Sequence, residues 1–298
     1  MLGASVSRFL RALQQRSAGL GQLDPPALAA RLTLACLLLA PIGLFDLRAA
    51  VLMLAMAGLL APPLCEWTPF WLTLAALAAL RVVYDWPLSD NHAYLLACWC
   101  LALAIAFAGA ARRRDLAHTA RLLIGCVFAL AVVQKTWISP DYLDGTFYRW
   151  VLADDVRFED LGRLLGRDDA ALESTRAVLR ALPGALPPAG ASFVETPALR
   201  LSAQVLTGLT LAVEALVALV FLAPPRFVSG AVRDASLLAF CAGTYAILPV
   251  AGFGWLLVAL GVAQSSSARM RWLYLATFAL IAFYEEVPWL DVLADLTE

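Results

Sequence analysis

The sequence predicts an all-α fold: a polytopic bundle of about nine transmembrane helices with a short helical excursion on one side. Hydrophobic residues make up 62% of the 298 residues and charged residues only 15%, which is more apolar than one soluble core requires. The apolar residues collect in runs long enough to cross a bilayer. Arginines collect in alternate connections between these runs. We therefore expect a single transmembrane domain over residues 1–298.

Nine apolar segments are the predicted spans, and proline, glycine or charged residues interrupt the chain between them. The second and the eighth are short for a bilayer of ordinary thickness. In chain order they cover residues 29–46, 48–63, 67–84, 92–111, 119–138, 199–223, 232–248, 252–264 and 271–287.

The positive charges predict the orientation of the bundle. With nine spans, the arginines of the N-terminal segment and of the loops around 111–121, 226–233 and 269–271 lie on one side, which the positive-inside rule assigns to the cytoplasm. We expect a bacterial inner-membrane protein with a cytoplasmic N-terminus and a periplasmic C-terminus.

Residues 1–28 predict a cytoplasmic amphipathic segment that lies on the inner membrane surface. Apolar side chains recur there at helical spacing with arginines on the opposite face, a pattern typical of an interfacial helix. The apolar positions are Val6, Phe9, Leu10 and Leu13.

Residues 139–198 predict a periplasmic excursion built from two short amphipathic helices. Leucines recur at three- and four-residue spacing in 161–165 and again in 172–182, which is a helical period. Two interpretations are open. The helices cover the outer mouth of the bundle as plain packing, or they contact a substrate.

Composition excludes two classes of function. The net charge is -1 and the basic residues form no stripe with interleaved aromatics, so we expect no nucleic-acid partner. The six cysteines and two histidines are scattered without the spacing of metal ligands, so we expect no metal.

Lys135 is the only lysine among 22 basic residues, and it lies near the end of the fifth predicted span. Charged side chains within a span are costly and mark a site or a structural contact. One interpretation is snorkelling of the ammonium to the lipid headgroups. The other is a catalytic base, because a desolvated lysine can lose its proton whereas arginine cannot.

Other polar residues near the same outer boundary predict an outward-facing pocket. Helical rise places Gln204 roughly 8 Å inside the boundary, at a similar depth to Lys135. The same boundary holds the start of the fourth span and the end of the seventh. The predicted pocket residues are Asn91, His92, Tyr94, Gln204 and Tyr245.

Glu214 is a further charged residue within a predicted span. If its helix begins at the outer boundary, Glu214 lies roughly 22 Å from that boundary, so we expect no direct ion pair with Lys135. It is interpreted either as a structural glutamate or as part of a proton path. His92 has two similar interpretations: a histidine bonded to the backbone, or a group that transfers protons or polarises a carbonyl.

Three stretches resemble the vitamin K-dependent gamma-carboxylase and its bacterial relatives that share the horizontally transferred transmembrane domain. They are "DNHAYL" from Asp90, "QKTWISPDYLDG" from Gln134 and "AVEALVALVFLAPPRF" from Ala212. The family has an Asn-His-x-Tyr-Leu run at the outer start of one span, followed by a lysine-bearing helix that leads into a similar turn.

The resemblance implies a reduced quinone, menaquinone or similar, as cofactor. Lys135 is then the residue that takes a proton from the quinol, and His92 is associated with the carboxylation step. The implied chemistry joins the deprotonated quinol to dioxygen and abstracts a proton from a secreted peptide or small-molecule substrate. Asn91, Tyr94, Gln204 and Tyr245 are then expected to form the walls of the quinone pocket.

Two other classes of function are open from the sequence. The chain could be a non-catalytic scaffold or immunity-type subunit that binds a membrane protein partner through residues 139–198. It could also be a transporter, although its spans lack paired inverted halves. In every case membrane lipids are expected partners.

Overall fold

A computed structural model describes residues 24–87, 89–155, 158, 161, 197–247 and 250–287. Within these residues the protein is entirely helical, without β-strands. The predicted amphipathic segment within residues 1–28 lies almost wholly outside the described residues. The two predicted helices of the excursion also lie outside them, apart from Leu161.

Eleven α-helices make up the described part of the chain. In order they are α1 (Pro25–Leu39), α2 (Phe45–Leu60), α3 (Thr68–Tyr84), α4 (Asn91–Ala108), α5 (Arg112–Val133), α6 (Pro140–Leu143), α7 (Thr146–Asp154), α8 (Pro197–Leu222), α9 (Gly230–Ile247), α10 (Ala251–Gln264) and α11 (Ala268–Glu286). A short 3₁₀ turn, Pro62–Glu66, lies between α2 and α3.

Each of the nine predicted segments overlaps one of the nine long helices, and the count of nine spans stays a prediction. Three of these helices are long and apolar enough to cross a membrane: Asn91–Ala108, Arg112–Ile138 and Pro197–Leu222. The first predicted segment was displaced, because α1 begins at Pro25 and ends at Leu39. Proline is favoured in the first turn of a helix, and Pro41 disfavours helical continuation just before it.

Helix α10 lies at the centre of the bundle. Nearly all of its 14 residues are buried, on every face, and it packs against α1, α5, α9 and α11. A helix that is apolar all round is expected in such a position. The apolar composition of α10 is therefore explained by its burial among the other helices, without any contact with lipid.

The pairing of α5 with α8 positions the region around Lys135. Gly125 on α5 lies against Leu222 near the end of α8, so closely that an added Cβ would lie 2.7 Å from the Leu222 side chain. From this contact the two helices run antiparallel. The end of α5 therefore reaches the middle of α8.

Helices α6 and α7 pack beside the first half of α8. Gly145, in the turn between α6 and α7, adopts a φ of 81° that favours glycine, and it lies against Gln204. Tyr142, Tyr148 and Ala203 form a small second core there. The first half of α8 consequently extends beyond the end of α5.

The end of α5 widens into a π-helical turn, Gln134–Ile138. The amide of Ser139 donates to the carbonyl of Gln134 at 2.9 Å, a bond that spans five residues instead of four. Single π turns inside α-helices often occur at functional sites. Lys135 lies within this turn.

Candidate functional site

Lys135 and Glu214 form an ion pair. The ammonium nitrogen Nζ of Lys135 lies 2.5 Å from Oε1 of Glu214. The two side chains are 23% and 11% exposed, so the pair is largely shielded from solvent. A nearly buried carboxylate requires such a partner, because desolvation of an unpaired charge is costly.

This ion pair contradicts the sequence-based expectation that the two residues lie at different depths. That estimate placed the start of α8 level with the end of α5. In the structure α6 and α7 occupy that space, and Glu214 meets Lys135 seventeen residues after α8 begins. The expectation of no direct contact was therefore wrong.

Two tyrosines cover the ion pair on the side of α6 and α7. Nζ of Lys135 lies 5.0 Å from the centre of the Tyr142 ring, within the range of a cation–π interaction. The hydroxyl of Tyr142 donates to that of Tyr148 at 3.3 Å. The Tyr148 hydroxyl lies 2.6 Å from Oγ1 of Thr210, which anchors this tyrosine cover to α8.

Burial raises the pKa of Tyr142 above its ordinary value, and the neighbouring Tyr148 and the charge of Glu214 raise it further. Burial also raises the pKa of Tyr148, opposed by its hydrogen bonds to Thr210 and Tyr142. Both phenols are therefore neutral hydrogen-bonding groups at physiological pH. Tyr142 and Tyr148 were not predicted as site residues because they lie outside the predicted spans. Tyr142 nevertheless lies in the stretch "QKTWISPDYLDG" that carries the family resemblance.

Three buried polar atoms in this part of the bundle have no hydrogen-bond partner among the described residues. They are Oε2 of Glu214, the hydroxyl of Tyr245 and Oγ1 of Thr207. Thr207 lies two turns before Glu214 on the same face of α8, roughly 10 Å away. The carboxylate of Glu214 interacts electrostatically with the phenol of Tyr245. Buried polar groups are normally paired, so these three atoms suit a polar ligand.

His92 has partners of its own. Its Nε2 lies 3.3 Å from Oδ2 of Asp90, and its ring packs 5.9 Å from the ring of Phe253. From Phe253 a row of ring contacts, with centroids 4.7–6.2 Å apart, continues to Tyr245. Packed rings therefore connect His92 with Tyr245. No hydrogen bond between His92 and Lys135 occurs among the described residues.

A side-chain hydrogen bond from Asn91 joins the start of α4 to the π turn at the end of α5. Nδ2 of Asn91 donates to Oε1 of Gln134 at 3.0 Å, and Gln134 immediately precedes Lys135. This bond fixes the position of the π turn relative to α4. The bond uses one of the two N–H groups of the Asn91 amide.

Gln204, one of the predicted pocket residues, lies away from the ion pair. Gln204 is exposed and lies beside Gly145, ten residues or roughly 15 Å along α8 from Glu214. Tyr94 is also exposed. Gln204 was predicted to lie at the depth of Lys135. In the structure Glu214 is the residue of α8 that contacts Lys135.

A second buried carboxylate lies at the opposite end of the bundle, which the sequence analysis missed. Oδ1 of Asp234 accepts hydrogen bonds from Gln264 and from the hydroxyl of Tyr274, and Oδ2 accepts one from Oγ of Ser265. These residues join α9, α10 and α11. Its neighbour Arg233 donates to the carbonyls of Val220 and Ala223 at the end of α8.

Comparison of the chain with protein-family models, with curated proteins and with solved structures found no match. The function of the chain is therefore inferred from its residues and from the arrangement of its side chains.

Proposed function

We propose that the chain is a carboxylase-like inner-membrane protein that binds a reduced quinone beside Lys135 and performs proton-abstraction or oxidative chemistry there. In this proposal all nine long helices span the membrane and the N-terminus is cytoplasmic. The ion pair of Lys135 and Glu214, with one carboxylate oxygen left unpartnered, is the observation that carries it.

The ion pair has the properties of a base for a weakly acidic hydroxyl. Oε1 of Glu214 is taken by Lys135, while Oε2 is buried and available to accept a hydrogen bond. A proton accepted at Oε2 would neutralise Glu214, and the ammonium of Lys135 would then remain as the cation beside the oxyanion that lost the proton. Low surrounding polarity strengthens such interactions.

The available donors and acceptors fit a quinol ring. Oε2 of Glu214 accepts from one ring hydroxyl, and the phenol of Tyr245 and the hydroxyl of Thr207 offer further hydrogen bonds. When bound, the quinol supplies an acidic hydroxyl and two electrons. The apolar rings between His92 and Tyr245 supply the surface that a quinone ring requires.

The surrounding side chains hold and shield this base. Tyr142 and Tyr148 cover the ion pair and exclude water from it, which protects a reactive base from protonation by solvent. Asp90 orients the imidazole of His92, which we propose as the proton or carbonyl partner for a secreted peptide or small-molecule substrate.

The test is turnover of reduced menaquinone with dioxygen by the purified protein in lipid nanodiscs, with formation of the quinone epoxide measured by mass spectrometry. We expect epoxide from the wild type and a loss of at least about a hundredfold in Lys135→Met and in Glu214→Gln, the lower end of the effect of a positioned acid–base group. The exposed glutamate Glu66, which lies at the other end of the bundle, provides the matched control Glu66→Gln.

Two results would overturn the proposal. One is the absence of epoxide from folded wild-type protein. The other is wild-type turnover in both Lys135→Met and Glu214→Gln, because the ion pair would then have no part in the reaction.

A further inference from the structure

Five large apolar side chains around α6 and α7 form an exposed surface, here called the aromatic patch. Trp137 is 83% exposed and Ile138 is 70% exposed at the end of α5. The next two helices add further apolar side chains to the surface. The aromatic patch consists of Trp137, Ile138, Leu143, Phe147 and Trp150.

The opposite face of the same segment is also apolar. Tyr148 and Leu152 on α7 are buried against the rest of the protein, as is Tyr142 on α6. Phe147 and Trp150 on the outer side of α7 remain uncovered. A short helix that is apolar on two faces would expose a large hydrophobic surface in water. Soluble proteins rarely expose such a surface.

The aromatic patch continues the lipid-facing surfaces of two spanning helices. On α5, Leu130 and Val133 are exposed just before Trp137. On α8, which packs beside α7, Leu201 and Val205 are exposed. In the most apolar stretch of each helix, only 33% of the residues are buried inside the protein for α5 and only 28% for α8. Lipid that covers them would therefore reach the patch without interruption.

Charged residues within the same segment determine its depth in the membrane. Asp141 and Asp144 are exposed beside the aromatic patch, and Arg149 donates to Oγ1 of Thr146. Hydrogen bonds from Thr146 lower the pKa of the Asp144 carboxyl, so this residue is ionised at neutral pH. Ionised groups belong in the headgroup layer, and tryptophan is enriched at its boundary with the acyl chains.

We propose that residues 137–150 are a membrane-interface anchor whose aromatic patch inserts into the boundary between phospholipid headgroups and acyl chains. The inference is independent of the proposed quinone chemistry. It assigns lipid to the outer face of α6 and α7, whose inner face carries Tyr142 and Tyr148 over the ion pair. Lipid contact thus holds the tyrosine cover in place.

Photo-cross-linking tests the proposed anchor directly. The photoreactive residue benzoyl-phenylalanine replaces Trp150 in one variant and the exposed Asp144 in a matched control on the polar side of the segment. Each full-length protein is reconstituted in vesicles of phosphatidylethanolamine and phosphatidylglycerol and irradiated, and the adducts are identified by mass spectrometry. We expect several-fold more lipid adduct at position 150 than at position 144.

Other adducts would overturn the proposal. A cross-link from position 150 to residues 159–196 would show that the chain itself covers the patch, and a cross-link to a second protein molecule would show a protein interface. Equal lipid labelling at positions 150 and 144 would also contradict it.

A second measurement applies if the probe at position 150 prevents folding. Brominated phospholipids quench tryptophan fluorescence only at short range. The quenchable part of the wild-type fluorescence is expected to decrease in the conservative variant Trp150→Phe. An unchanged quenchable part would overturn the proposal.

Discussion

Glu214 and Asp234 are both carboxylates buried in the helical bundle, at opposite ends, and their oxygens are satisfied differently. Asp234 accepts three hydrogen bonds from neutral side chains that join α9, α10 and α11. Glu214 has one charged partner, Lys135, and its Oε2 has none among the described residues. A fully satisfied polar network rigidifies a core, whereas an unsatisfied buried group is left free for chemistry.

The comparison separates two uses of a buried charge. Asp234 is 2% exposed and holds three helices in one arrangement, and both of its oxygens accept hydrogen bonds in this structural role. Glu214 is held in position by a single ion pair, so its second oxygen remains available. Burial alone therefore does not single out a candidate functional carboxylate, whereas incomplete hydrogen bonding distinguishes Glu214 from Asp234.

The largest expected effect is in the Asp234 network. Asp234→Ala leaves three donors without an acceptor, and each buried unsatisfied donor costs about 1–3 kcal/mol, so we expect destabilisation of at least about 3 kcal/mol. Asp234→Asn keeps the shape and one acceptor oxygen and should cost less. Thermal unfolding in detergent micelles measures both. Equal stability of Asp234→Ala and wild type would refute the structural role.

The ion pair should show coupling in a double-mutant cycle. Lys135→Met leaves Glu214 buried without a partner, and because Lys135 is partly exposed we expect a loss of about 2 kcal/mol, below the range for fully buried pairs. Lys135→Met combined with Glu214→Gln should recover about 1 kcal/mol or more. Additive single effects in the same unfolding assay would show that the two charges do not interact.

Loosening the close packing of α5 on α8 should change the geometry of the ion pair more than it lowers the free energy of unfolding. Gly125→Ala places a Cβ 2.7 Å from the Leu222 side chain and should cost about 1 kcal/mol, as overpacking does. Gly208→Ala is the matched control, since a Cβ there meets nothing within 4 Å. It should stabilise α8 by up to about 1 kcal/mol.

Separating α5 from α8 also moves Lys135 relative to Glu214. We therefore expect lower epoxide formation in Gly125→Ala and unchanged epoxide formation in Gly208→Ala. If the two variants behave alike in both stability and turnover, the close approach at Gly125 does not position the ion pair.

The smallest effect at neutral pH is expected for the buried tyrosines. Because the pKa of Tyr142 is raised in the folded state, its contribution to stability is complete below about pH 10, the ordinary tyrosine pKa. Stability then falls as the pH rises further, by up to about 1.4 kcal/mol per pH unit for one such group. The loss continues until the folded-state pKa is reached.

Tyr142→Phe should make this alkaline decrease shallower, as measured by unfolding midpoints from about pH 8 to pH 11. The exposed Tyr94 gives the matched control Tyr94→Phe. An identical alkaline decrease in wild type and Tyr142→Phe would show that Tyr142 is not held neutral by burial.

The helices could be predicted from the sequence because long apolar runs determine them locally. Lys135 could also be identified, since a single lysine inside an apolar segment is an unusual feature of composition. Its partner could not, because the level at which α8 meets α5 depends on where α6 and α7 pack. Asp234 comes directly after Arg233 in a stretch that resembles an ordinary charged loop. Only the folded chain brings Ser265 and Tyr274 to it.

The π turn ties the site to chain length as well as to residue identity. Such a turn holds one residue more than an α turn, so deletion of a single codon within 136–138 would make the bond between Ser139 and Gln134 an ordinary α-helical one and leave the following residues in place. The same deletion before the turn, within 126–133, would rotate Lys135 by roughly 100° about the axis of α5. Its amine would then leave Glu214 even though no side chain of the ion pair had changed.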